Sequence, residues 1–109
     1  MYGGLKMCGE CFVVEGVKKL IFRREEDCYI LFDPNALEFY KVNETAACIM
    51  YEISNNVAYS KMIDNLQEIF ELDREEVIDY VTDFLKSFTM KDIIATKLIE
   101  LEVPTECFI

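Results

Sequence analysis

The stretch that decides the fold is Phe39-Tyr40-Lys41-Val42-Asn43-Glu44-Thr45-Ala46-Ala47-Cys48-Ile49, where the apolar pattern changes from that of a strand to that of a helix. Phe39, Tyr40 and Val42 are aromatic and β-branched residues suited to a pleated surface. Asn43 is a preferred N-cap, and Glu44 puts a carboxylate at the positive end of the helix that follows. Ala46 and Ala47 let that helix approach a sheet closely. Just upstream, Cys28, Ile30 and Phe32 alternate with Tyr29 and Leu31, Asp33-Pro34-Asn35-Ala36 reverses the chain, and Leu37, Phe39, Tyr40 and Val42 return. Proline presets the turn dihedral while Asp and Asn bond to nearby backbone, so this is a β-hairpin. Both of its faces carry apolar side chains.

Further upstream, Phe12, Val13, Val14, Val17, Ile21 and Phe22 predict one or two more strands between Cys11 and Arg24, broken near Gly16. Residues 1–10 hold three of the four glycines and read as a flexible lead-in. Downstream, the first helix runs from its cap at Asn43 to about Ile53 and closes at Ser54-Asn55-Asn56. A second begins after Ser60 as N-cap, carries Met62, Ile63, Leu66, Ile69 and Phe70 at helical spacing, and stops near Leu72. Asp73 caps a third, with Glu75 and Glu76 in its first turn and Val77, Val81, Phe84, Leu85 and Phe88 as its apolar stripe. Residues 93–101 have an ambiguous period and read as an extended tail up to Pro104. The expected fold is therefore α+β and winged-helix-like, an N-terminal antiparallel three-stranded sheet followed by a three-helix bundle. It is organised as a flexible segment 1–10, a domain 11–92 and an extended C-terminal tail or linker 93–109.

With 109 residues, 52% of them apolar, the chain has the size and content of one domain with a real core. A net charge of −10 opposes a nucleic-acid backbone and favours partners carrying lysine or arginine. No histidine occurs, which removes the commonest general acid/base and the usual activator of a Ser or Cys nucleophile. No apolar run reaches the roughly 20 residues that span a bilayer, and the N-terminus does not resemble an export signal, so a cytoplasmic location is expected. Five cysteines, an odd number, fit reduced thiols. Cys8 and Cys11 form a Cys-x-x-Cys pair that could serve zinc, an iron–sulfur cluster or a redox couple, yet a closed zinc site needs four ligands. Cys28, placed in a strand, and Cys48, placed in the first helix, are poorly disposed to supply the rest, so no metal or cofactor is expected. Lys18-Lys19 and Arg23-Arg24 read as a solvated strand face, or alternatively as a docking patch for an acidic peptide.

The junction quoted first resembles the PqqD family, whose members run an aromatic strand into Leu-Asn-Glu-Thr-Ala and then an apolar helix. Here Val42 stands where leucine is usual, and the resemblance covers roughly Asp27 to Met90. It implies a precursor-peptide recognition element without catalysis of its own. Such elements bind the leader region of a ribosomally synthesised precursor as a strand added to an open sheet edge, in a groove closed by the third helix, and bring it to a maturase, often a radical S-adenosylmethionine enzyme. The chain would then stand alone or form the N-terminal domain of such a maturase, and Val103-Pro104-Thr105-Glu106-Cys107-Phe108-Ile109 faintly resembles the approach to a maturase's first cluster cysteine. The implied peptide-binding residues are Leu37, Phe39 and Lys41 or their alternates Glu38, Tyr40 and Val42 on the strand, with Tyr80, Val81 and Phe84 on the third helix. An unpaired edge also allows a homodimer. The rival readings are a Cys-x-x-Cys metal or redox module and a winged-helix DNA-binding regulator; Glu75, Glu76, Asp79 and Asp83 against Arg74 and Lys86 on the third helix oppose the latter.

Overall fold

The computed structural model describes residues 9–108; the flexible lead-in assigned to residues 1–10 therefore lies almost wholly outside them. Four strands come first: β1 (Cys11–Glu15), β2 (Lys19–Arg24), β3 (Tyr29–Asp33) and β4 (Glu38–Val42). They pair consecutively and antiparallel in the order β1-β2-β3-β4, so β1 and β4 are the edges. The expected three-stranded sheet is thus corrected to four strands. The break expected near Gly16 falls at residues 16–18, which turn the chain between two strands. At that turn Val17 N–H donates to the Ile93 carbonyl at 2.9 Å, and a Cβ added to Gly16 would lie 1.9 Å from the same oxygen. Glycine is needed there for close approach.

The second hairpin forms as its sequence dictates. Asp33 Oδ1 accepts the N–H groups of Asn35 at 3.0 Å and Ala36 at 3.3 Å, and Leu37 N–H closes the turn on the Asp33 carbonyl at 2.8 Å. Leu37 takes φ 56°, so it belongs to the turn and not to the strand. The other oxygen of Asp33 pairs with Lys18 at 2.8 Å, which ties the two hairpins together. Lys18 and these backbone donors hold the Asp33 carboxyl below its usual value of 3.8. A depressed folded-state pKa means that this stabilisation is complete above the unfolded value and is lost as pH falls through the folded one. Asp33→Asn is accordingly expected to lower the melting temperature at neutral pH. The gap from wild type should narrow as thermal melts, followed by circular dichroism, are repeated below pH 4.

Four helices follow: α1 (Glu44–Ser54), α2 (Tyr59–Phe70), α3 (Arg74–Ser87) and a short α4 (Ala95–Glu100), then a single 3-10 turn at Thr105–Cys107. Asn43 caps α1 through Oδ1, which accepts Ala46 N–H at 2.8 Å. At α3, Glu76 reaches back to Asp73 N–H at 3.2 Å, the returning half of a capping box. Ser60 is not the cap of α2: Ala58 takes that place with its carbonyl and offers no side-chain bond. The helix ends at Phe70, because Glu71 enters the left-handed region at φ 58° and Leu72 N–H turns back to the Gln67 carbonyl.

Phe12, Val14, Leu20, Phe22, Tyr29, Leu31 and Val42 point from the sheet into a core completed by Ile49, Met50 and Ile53 of α1, Met62, Ile63 and Leu66 of α2, and Val77, Val81 and Leu85 of α3. The winged-helix likeness is not confirmed by this order, in which, among the described residues, the four strands precede the helices. The extended tail is also corrected. Ile94, Leu98 and Leu101 are buried at helical spacing, and Val103, Cys107 and Phe108 continue into the same core. Ile93 and Ile99 fill the intervening positions and blur the period in the sequence, although Ile99 is mainly exposed.

Candidate peptide-binding groove

β4 has β3 on one side and no strand on the other among the described residues. Four of its five residues are exposed, and only Val42 is buried. The register decides which side chains share a face: Glu38, Tyr40 and Val42 stand opposite Asp33, Leu31 and Tyr29, while Phe39 and Lys41 stand opposite Phe32 and Ile30. Since Tyr29 and Leu31 are core residues, Glu38, Tyr40 and Val42 take the helix side. Phe39 lies on the outer face of the sheet, its ring 4.8 Å from that of Phe32, with Lys41 on the same face. Leu37 sits in the turn, 74% exposed. The Tyr40 hydroxyl donates to the Glu38 carboxylate, and this bond, more than burial, raises the phenol above its ordinary pKa.

The wall facing β4 comes from α3, which carries two apolar rows. Val77, Val81 and Leu85 are spaced by four and fully buried, so Val81 is a core residue with no surface to offer a guest. Tyr80, Phe84 and Phe88, also four apart, form the adjacent row and stay partly or largely exposed, with the Phe84 and Phe88 ring centroids 5.2 Å apart. Between this row and β4 lies an open groove of about 310 Å³, lined among others by Leu31, Tyr40, Ala46, Phe84, Phe88 and Met90. Of the residues expected at the site, the structure brings Tyr40, Lys41, Val42 and Phe84 to this groove and Tyr80 to its continuation between α1 and α3. Leu31, Ala46, Phe88 and Met90 were not anticipated. Phe88 was legible as the next step of four from Phe84; the others are brought in by packing.

Among the described residues the opposite edge, β1, has no such wall. The depression beside it is lined by Glu15, Gly16, Val17, Thr96, Lys97 and Glu100, a polar set. The basic residues of β2 and the turn before it are mostly engaged by their own chain: Lys18 with Asp33, Arg23 with Glu25 at 3.0 Å, and Arg24 with Glu44 at 3.0 Å while its guanidinium lies over the Tyr29 ring. Their carboxylates are already supplied, which weakens the alternative of an acidic-peptide patch. Cys11 is exposed on β1, Cys28 falls in the bend before β3 rather than within a strand, Cys48 is buried in α1, and Cys8 lies outside the described residues. Among the described residues no cluster of three or more His, Cys, Asp or Glu side chains could hold a metal ion, and no helix is long and apolar enough to cross a membrane.

Fold and site together define a small α+β domain that presents an open antiparallel edge beside an aromatic helix wall. A family model, coenzyme PQQ synthesis protein D (PqqD), matches residues 28–94, from the bend before β3 to the start of α4, and so contains both walls of the groove. The chain belongs to the PqqD family. That family is an accessory, recognition-type one rather than a catalytic one, and it points to a part in peptide-modifying biosynthesis. No curated protein and no solved structure matches the chain.

Proposed function

We propose that the domain captures the leader region of a ribosomally synthesised precursor peptide as a fifth strand on β4 and delivers it to a modifying enzyme, a radical S-adenosylmethionine maturase. The observation that carries this reading is the edge of β4, unpaired among the described residues, lying beside the partly exposed Phe84 and Phe88, with Tyr80 in the continuation of the same groove. Membership of the PqqD family supports it, since that family implies a peptide and a maturase as partners.

Energetics explain why edge and wall are both needed. Ordering each guest residue costs about 1 to 2 kcal/mol in backbone entropy. Each new backbone hydrogen bond returns a net of only about 0.5 to 1.5 kcal/mol. Strand pairing alone is close to break-even and gives register without affinity. An apolar side chain seated against Tyr40 and Phe84 contributes about 1.5 to 3 kcal/mol more, so one or two such anchors bring binding into a useful range. Alternate residues of the guest strand would point into the groove and supply the specificity.

Synthetic segments of short peptides encoded beside the gene, titrated into isotope-labelled protein, test this directly. Saturable binding should slow amide exchange along β4 and shift the resonances of Tyr40, Phe84 and Phe88. Binding that maps to the β1 edge, or no binding by any neighbouring peptide, would overturn the proposal.

A further inference from the structure

The groove beside β4 continues beyond the strand. Asn43, Ala46, Phe84 and Ser87 line both it and a second cleft of about 520 Å³ between α1 and α3. Thr45 and Tyr80 are shared in turn by that cleft and a third, of about 500 Å³, at the C-terminal end of α2. One furrow thus follows α3 along Phe88, Phe84 and Tyr80. Its far end is walled by Ile69, Phe70 and Leu72, and the Phe70 ring meets Tyr80 edge to face with centroids 6.4 Å apart. Tyr80 is held on that side and still 50% exposed, the disposition of an aromatic that can grip a further apolar group.

Charge identifies what fits there. The charged residues lining the second and third clefts are Asp83 and Glu71, both acidic and both exposed. Among the described residues neither has an ion-pair partner. The chain as a whole carries −10, so a cationic guest is favoured over an acidic one. β4 is only 5 residues long, and a guest that extends past it can run on along the furrow.

We infer that the guest peptide is read in two parts. An extended stretch pairs with β4. On one flank of it, an aliphatic or aromatic side chain enters the cleft between Tyr80, Phe70 and Leu72, and a lysine or arginine next to it lies along the furrow that Glu71 and Asp83 line in turn. This rests on the strand-addition reading and deepens it by naming the chemistry of a second recognised segment.

A displayed library of random peptides, selected on the immobilised protein, supplies the probes. Enriched peptides should carry an apolar residue next to lysine or arginine on one side of a β-prone core. Deleting that flank from a synthetic binder should weaken it about tenfold. Tyr80→Ser should weaken the full-length binder by the same factor and leave the truncated one unchanged. Asp83→Lys should weaken it too, with affinity restored when the peptide's cation is exchanged for glutamate. Both substitutions fall on exposed positions, and thermal melts check that each variant folds; should either fail to fold, the flank deletion on wild-type protein decides. If flank deletion and both substitutions leave affinity unchanged while Phe84→Asp abolishes binding, the second segment is not read and strand addition alone stands. If nothing is enriched on wild-type protein, strand addition falls and the two-part reading falls with it.

Discussion

Replacing Phe84 by aspartate is expected to reduce peptide affinity about hundredfold, equivalent to about 2.7 kcal/mol, in a domain that still folds. Phe84 lines both the groove beside β4 and the cleft that continues it, so one charge there spoils two apolar seats. The aspartate also has to shed water when a guest strand closes over it, and Lys41, the one cation among the described residues lining the groove, belongs to the outer face of the sheet. Folding should survive because Phe84 is only half-buried and belongs to the outer row of α3. The loss to stability is the ring contact with Phe88, about 0.5 to 1.5 kcal/mol, and part of its apolar burial. Anisotropy with a labelled peptide, read beside a thermal melt, separates the two effects. A variant that melts near wild type and binds as tightly would remove the groove from the site.

The same substitution three residues earlier should have the opposite signature. Val81 is fully buried in the hydrophobic core. A carboxylate placed there has no partner, and the penalty for a buried, uncompensated charge is several kcal/mol. Against a total stability of about 5 to 15 kcal/mol for a domain of this kind, Val81→Asp is expected to leave no cooperative melting transition at neutral pH. The milder Val81→Ala should cost about 2 kcal/mol while the folded fraction binds peptide as wild type does. A Val81→Ala protein that is stable but defective in binding would place Val81 in the groove after all.

These two residues show where reading the sequence stops. Val77, Val81, Phe84, Leu85 and Phe88 form one broad apolar stripe by spacing alone. The folded molecule divides it, burying Val77, Val81 and Leu85 in the core, where α3 packs on α2 and on the Thr105–Cys107 turn, and leaving Phe84 and Phe88 on a flank beside the β4 edge. Spacing of four gives each row its own continuity but says nothing about which row meets the core. β4 poses the same problem in two dimensions. It carries Phe39 on one face and Tyr40 and Val42 on the other, so apolar alternation does not specify a side. The pairing of Tyr40 with Leu31 and of Phe39 with Phe32 settles it, because Leu31 is buried and Phe32 is not fully so.

What the sequence by itself determined are the features whose causes act over a few residues: the reversal at Asp33-Pro34-Asn35-Ala36, the cap at Asn43, the capping box opened by Asp73, and the junction from strand to helix that marks the family. Hydrogen bonds within a turn or a helix end need only neighbours in the chain. Tertiary structure alone decided that both strands flanking Gly16 join the sheet, the helical burial of residues 94–101, the helix-facing side of β4, and the furrow along Tyr80, Phe84 and Phe88. Each of these depends on what lies across from it, as the Ile93 carbonyl lies across from Gly16. Burial is a property of two surfaces in contact, and the second surface comes from a distant part of the chain.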